Sequence, residues 1–311
     1  MRSTRAGSHR LQIETHISTV IGRCTAGLYS ESLDMVDVMP HSLENGGCSH
    51  APNHRISKNM SKVSLIIPVY NESSHLQRFL ELIDNLELPI EKELVIVEDF
   101  SSDNSKDILR NYNFRSSVKL IFQDRNQGKG AALRTGIEQA TGDIIGIQDA
   151  DFEYEPTDIP RLLEPLLENK ADVVFGSRFK KSNPQVFRTF HYLVNRILTI
   201  YSNLCSGLYL TDMETCYKFF SANIIQNIRL ESNRFGFEPE VTAKIAKLKL
   251  RVYELPISYY PRNYHEGKKI TWKDGIAALR HITYYNFFVK SRNCFRNSMP
   301  EEFIPPGFNL L

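Results

Sequence analysis

The sequence predicts an α/β fold, a Rossmann-like, mostly parallel sheet flanked by helices. Two observations carry this. From Val63 to Phe175, five short β-rich apolar runs alternate with stretches of helical periodicity. That alternation is the mark of a doubly wound sheet. Polar clusters also follow all five runs. In such a sheet these ends share one edge, where ligands bind.

Taken in order, the first strand is Val63–Val69 (VSLIIPV), with Pro68 near its end. Ser73–Leu86 is a helix with a stripe of Leu76, Phe79, Leu80, Ile83 and Leu86. Glu93–Val97 is the second strand and Asn104–Tyr112 a short helix. Val118–Phe122 is the third strand and Gly130–Ala140 a helix. Asp143–Gln148 is the fourth strand, Asp158–Asn169 a helix and Asp172–Phe175 the fifth strand. Gln185–Leu210 then reads as a long amphipathic helix. Core packing is the default for its apolar residues. With Arg188 and Arg196 on its flanks, a membrane-apposed helix is the alternative. Glu240–Leu248 is a helix, Val252–Ile257 a strand and Asp274–Phe288 a further amphipathic helix.

Residues 1–60 are rich in Ser, Arg, His, Asn and Gly and are expected to form a disordered extension. Cys48, His50 and His54 fit no standard zinc spacing. Residues 61–290 form the expected domain, and 291–311 an irregular tail. The net charge of +2 gives no reason to expect nucleic acid as a partner. Five scattered cysteines do not make a disulfide framework, so a reducing compartment, the cytoplasm, is expected. No apolar run reaches the roughly 18 residues of a membrane span, and no signal peptide is evident. Any membrane contact would be peripheral, at the cytoplasmic face.

The polar clusters are Tyr70-Asn71-Glu72, Glu98–Asp103, Asp124–Gly130, Asp149-Ala150-Asp151 with Glu153, and Gly176-Ser177-Arg178. Carboxylates ending a core strand need partners, and a Mg2+ or Mn2+ site is one way to supply them. In an extended chain Asp149 and Asp151 would point the same way, about 7 Å apart. A turn after Gln148 would instead divide them between a ribose and a metal. Asp99 suits the ring N–H of uracil or guanine. The loop around Lys129 has neither the P-loop spacing nor a dinucleotide fingerprint. Arg178, Arg188, Arg262, Lys268 and Lys269 are candidates for phosphate, which guanidinium groups bind bidentately.

Together these residues resemble the family 2 glycosyltransferases of the GT-A fold, and within them the polyprenyl-phosphate (dolichyl-phosphate) hexosyltransferases. Pro68–Glu72 resembles P-x-Y-N-E, and Glu98–Ser105 resembles D-D-G-S-x-D-x-[ST]. Asn126–Gly130, Gly142-Asp143, Asp149-Ala150-Asp151 and Gly176–Arg178 match N-x-G-K-G, T-G-D, D-x-D and G-S-R. Arg262–Lys269 resembles the basic loop over the donor. Glu98 stands for the first Asp, and Phe100 for the Gly, which implies a differently shaped loop. The C-terminal transmembrane pair of many relatives is absent from this sequence.

The resemblance implies an inverting transfer of a hexose from a UDP- or GDP-sugar with Mg2+ or Mn2+. Pro68, Tyr70, Glu72, Asp99, Lys129, Asp149, Lys268 and Lys269 would bind the nucleotide-sugar. Asp149, Asp151 and Glu153 form the metal side, with Asp149 at the ribose or diphosphate. Arg178, Arg188 and Arg262 would take an acceptor phosphate. Polyprenyl phosphate is the expected acceptor and a glycan hydroxyl the alternative. A hydroxyl needs a general base, for which Asp212, Glu214 and Glu240 are available, with Glu240 or Asp212 preferred.

Overall fold

The computed structural model describes residues 60–180, 189–261 and 272–306. Residues 1–59 of the expected extension, Arg188, Arg262, Lys268 and Lys269 lie outside the described residues.

Seven strands form one sheet in the order β3-β2-β1-β4-β6-β5-β7. These are β1 (Lys62–Val69), β2 (Glu91–Glu98), β3 (Ser117–Phe122), β4 (Ile144–Ile147), β5 (Val173–Ser177), β6 (Lys218–Ser221) and β7 (Val252–Pro256). All run in parallel except β6, which is antiparallel to both β4 and β5. The side chains of β4 and β5 are buried along their full length, as expected where helices cover both faces of a parallel sheet.

The helices flank the strands. α1 (Leu76–Asn85) buries Leu76, Phe79, Leu80 and Ile83, the i, i+3, i+4, i+7 stripe of an amphipathic helix. α2 (Ser105–Asn111) and α3 (Lys129–Gln139) follow β2 and β3. α4 (Ile159–Leu167) carries Pro160 in its first turn, where the missing N–H costs nothing.

β6 is missing from the sequence reading. It is four residues long and starts with a buried lysine whose Nζ bonds the Met213 and Thr215 carbonyls. That charge hides the apolar pattern. The register pairs Lys218 with Phe175, so the loop 212–217 arrives at the carboxyl edge of the sheet.

Three further helices differ from their expected bounds. The expected Gln185–Leu210 helix is described as α5 (Thr189–Ser206). It closes at Gly207, whose φ is +76° and whose N–H bonds the Asn203 carbonyl, a left-handed cap that favours glycine. After the single turn α6 (Ala222–Ile225), α7 (Phe237–Ile245) begins three residues before Glu240. Pro239 signals a break, yet proline is tolerated in a first turn. α8 (Trp272–Thr283) ends the expected Asp274–Phe288 helix early, and a π-helical turn, Tyr284–Phe288, follows it. Beyond the short α9 (Ser291–Cys294), Phe295, Met299 and Phe303 are buried in the main core.

The Thr141–Asp143 segment, matched above to a family motif, lies at the opposite edge from the strand-end clusters. Thr141 donates to Glu93 through its N–H and its hydroxyl, and Gly142 N–H donates to Ser64 Oγ. Burial raises the proton affinity of Glu93, but the donors from Ser64 and Thr141 outweigh it, and its pKa falls to about 2. The motif staples the starts of β1, β2 and β4.

Candidate active site

The strands β1, β2, β4 and β5 end at one edge, and β1 and β4 are neighbours on either side of the point where strand order reverses. Pro68, Tyr70 and Glu72 sit at the end of β1, Asp99 after β2, Asp149 to Glu153 after β4, and Arg178 after β5.

The loops after β1 and β2 lock each other. Asn71 N–H donates to Ser101 Oγ at 3.0 Å, and Ser102 N–H to Asn71 Oδ1 at 2.8 Å. Asp103 accepts from the Ser73 and Ser105 N–H groups. Burial opposes its charge, yet these hydrogen bonds hold its pKa at about 2. Phe100 takes a left-handed backbone in this turn, with φ +58°, a conformation that ordinarily favours glycine.

Asp99 accepts from the N–H groups of Gln127 and Gly128 at 2.8 and 2.7 Å and from Asn126 Nδ2 at 2.9 Å. Burial pushes its pKa up, against those two backbone donors. It therefore positions the Asn126–Gly130 loop. Gly128 is needed there because its φ is +95° and a Cβ would stand 2.5 Å from the Asn233 carbonyl oxygen.

Lys129 opens α3. Its Nζ lies 3.0 Å from both oxygens of Asp149 and 3.2 Å from Glu238. Burial disfavours the ammonium, but the two carboxylates hold its pKa well above the ordinary value. Burial also raises the neighbouring Cys216 thiol, and Asp149 adds to that. Glu238 has no assigned role in the sequence reading. In F-E-P-E the two acids are two residues apart, so on a helix they face nearly opposite sides. Glu238 reaches Lys129. Glu240 instead accepts from the Glu231 and Ser232 N–H groups and pairs with Lys244 at 2.6 Å, all within the core. The structure does not bring Glu240 together with the strand-end acids.

Arg178 and Asp212 meet each other. Nε and Nη2 of Arg178 donate to the two oxygens of Asp212 at 2.7 Å, and the Arg178 N–H adds a third bond at 3.0 Å. Asp212 is fully buried. Burial opposes the charge of Arg178, but Asp212 carries its pKa well above the ordinary value. The guanidinium also lies 5.1 Å from the centre of the Tyr259 ring. An acceptor phosphate would have to share Arg178 with Asp212.

Glu214 is the third candidate base and the one with spare capacity. Its Oε1 is buried with no hydrogen-bond partner, as is Thr215 Oγ1 beside it. Burial, then the Glu238 carboxylate, push its pKa up to about 7. Burial lowers the pKa of Lys218, against the pull of Glu238 and Glu214.

At the D-x-D turn, Asp151 Oδ1 accepts from Glu153 N–H at 3.1 Å, and Glu153 Oε2 accepts from the Tyr259 hydroxyl at 2.8 Å. No three Asp, Glu, His or Cys side chains among the described residues stand together as a closed metal cage. The donor set here is all oxygen and incomplete. That fits Mg2+ or Mn2+, which take one or two carboxylates and fill the remaining positions with water and substrate phosphate.

The family model for glycosyl transferase family 2 matches residues 64–229, from β1 through the site loops to just beyond α6. The chain belongs to glycosyl transferase family 2. An undecaprenyl-phosphate mannosyltransferase of Micrococcus luteus is 31% identical over 216 residues, 67% of this chain and 87% of that one. A dolichol-phosphate mannosyltransferase of Pyrococcus furiosus is 27% identical over 71% of this chain, and the chain spans 62% of that relative's length. The glucosyl-3-phosphoglycerate synthase of Mycobacterium tuberculosis, crystallised with Mn2+, uridine diphosphate and glucosyl-3-phosphoglycerate, superposes with a TM-score of 0.56 at 16% identity. The alignment covers 75% of this family 2 chain and 82% of that one. This chain has the GT-A fold.

Proposed function

We propose that this family 2 protein is an inverting hexosyltransferase that moves a sugar from a nucleoside diphosphate to polyprenyl phosphate at a membrane surface. One observation carries the choice of a lipid acceptor. The loop holding Asp212 rests directly on α5, and α5 bears an exposed apolar face. Arg196 donates to the Thr211 carbonyl, and Met213 N–H donates to Thr199 Oγ1. Leu193, Ile197, Ile200 and Leu204 of the same helix face solvent, the last 74% exposed. α5 packs on α8 around Leu198, Ala278 and Ile282. Beside it Ile276, Tyr284, Phe287 and Phe288 are exposed too. An apolar stripe with tyrosines and few acids suits the plane of a bilayer interface. No helix among the described residues is long and apolar enough to cross a membrane.

The relatives named for undecaprenyl and dolichol phosphate support the same acceptor. Asp151 and Glu153 would hold Mg2+ or Mn2+ together with the donor diphosphate, where the ion neutralises charge on the leaving group. Asp99 and the loop it fixes would receive the base. Lys129, bonded to Asp149, would hold that carboxylate oriented toward the ribose or diphosphate. A phosphomonoester acceptor has a second pKa of about 6. At neutral pH it attacks the anomeric carbon without giving up a proton, so the burial of Asp212 and Glu240 in ion pairs does not hinder the reaction. A glycan hydroxyl would need a base, for which Glu214, not committed to an ion pair as Asp212 and Glu240 are, would be the remaining candidate.

The test is a panel of UDP- and GDP-hexoses offered with Mn2+ and either a short polyprenyl phosphate or an oligosaccharide. Sugar entering the organic-extractable product supports the lipid acceptor. Transfer to the oligosaccharide alone would overturn it.

A further inference from the structure

The loop after β2 demands a left-handed backbone at residue 100, and a phenylalanine fills it at φ +58°. Asn71, on the neighbouring strand end, has φ +54°. Asparagine takes that conformation readily, whereas a bulky side chain there is strained. The turn has no room to relax. Asp99 N–H is bonded to the Val69 carbonyl, Ser101 N–H to Glu98 Oε1, and Ser102 N–H to Asn71 Oδ1. Both sides of residue 100 are pinned.

Burial does not repay the strain, since Phe100 is 52% exposed. Strain of this kind persists where the surroundings enforce it, and it clusters at ligand sites. Phe100 follows the buried Asp99 directly. Tyr70, also exposed, leaves the adjacent strand, where Val69 stands in register with Glu98. Two exposed aromatic side chains thus leave neighbouring strand ends on either side of Asp99, whose carboxylate fixes the Asn126–Gly130 loop.

We infer that Phe100 is a stacking platform for the nucleobase of the donor, and that its ring is retained for binding at the expense of the fold. The inference rests on the nucleotide-sugar reading above. A planar pyrimidine or purine covers an exposed ring face, and such stacking tolerates either base.

The test is calorimetric titration of the full chain with UDP and with GDP, each with Mn2+, beside thermal melts. Phe100→Asn and Phe100→Gly keep the backbone and remove the ring; Phe100→Tyr keeps the ring. The nucleotide that binds the wild type is expected to bind the first two variants about tenfold more weakly and Phe100→Tyr within about twofold. The melting temperature of Phe100→Asn and Phe100→Gly is expected to rise by about 3 °C as the strain is relieved. Wild-type affinity in Phe100→Asn would overturn the platform while leaving the nucleotide-sugar reading intact. If neither nucleotide binds the wild type, that reading falls and the platform falls with it.

Discussion

Lys129 Nζ stands 3.0 Å from both carboxylate oxygens of Asp149 and 3.2 Å from Glu238. One ammonium thereby joins the start of α3, the acid after β4 and the first turn of α7. The lysine of the N-x-G-K-G segment is in this way a crosslink within the site as well as a candidate phosphate contact.

Replacing it by Met leaves two carboxylates facing one another without their cation. The Lys129 and Asp149 side chains are each about one-fifth exposed, so the loss is smaller than for a fully buried pair, about 2 kcal/mol. The melting temperature of Lys129→Met should fall by about 4–8 °C, while Lys129→Arg retains most of it. Circular dichroism melts check this. An unchanged melting temperature in Lys129→Met would remove the crosslink from the account.

Glu214 predicts a pH dependence of stability. Its carboxyl is pushed from 4.5 to about 7, by burial first and then by Glu238. Between those values the folded protein binds a proton that the unfolded chain has released. Stability therefore falls as pH rises through that window. Glu214→Gln has no such proton to lose. Between about pH 4.5 and 7 the wild type should lose melting temperature relative to the variant. Parallel pH profiles for the two proteins would contradict the shift.

The exposed face of α5 predicts lipid binding that is separable from folding. Leu193, Ile197, Ile200 and Leu204 lie outside the core, so changing all four to Gln should leave the melting temperature within about 2 °C. Sedimentation with anionic phospholipid vesicles should drop at least about tenfold, because apolar burial drives interfacial binding. Equal sedimentation of wild type and variant would disconnect this face from the membrane.

The sheet was legible because five of its strands are apolar runs closed by polar residues, and parallel strands bring those ends to one edge. β6 was not legible, because it is four residues long and opens on Lys218, a charge that the fold buries on the Met213 and Thr215 carbonyls. Sequence spacing brought the acids of the D-x-D turn to the right edge of the sheet. It could not reveal that Asp212 spends both oxygens on Arg178, or that Glu240 turns into the core while Glu238 turns toward Lys129. Those are tertiary pairings across 34 residues or more, or a choice of helix face set by where α7 begins.

Asp151 bears most directly on the proposed reaction. The decisive measurement is hexose transfer from the donor panel to a short polyprenyl phosphate with Mg2+ or Mn2+, comparing the wild type with Asp151→Asn. Removing a carboxylate that holds the ion on the leaving diphosphate should cost at least about 100-fold in turnover, with chelation of the metal silencing the wild type as well. Near-normal turnover in Asp151→Asn would contradict the assignment of this strand end as the metal-side wall of the donor site.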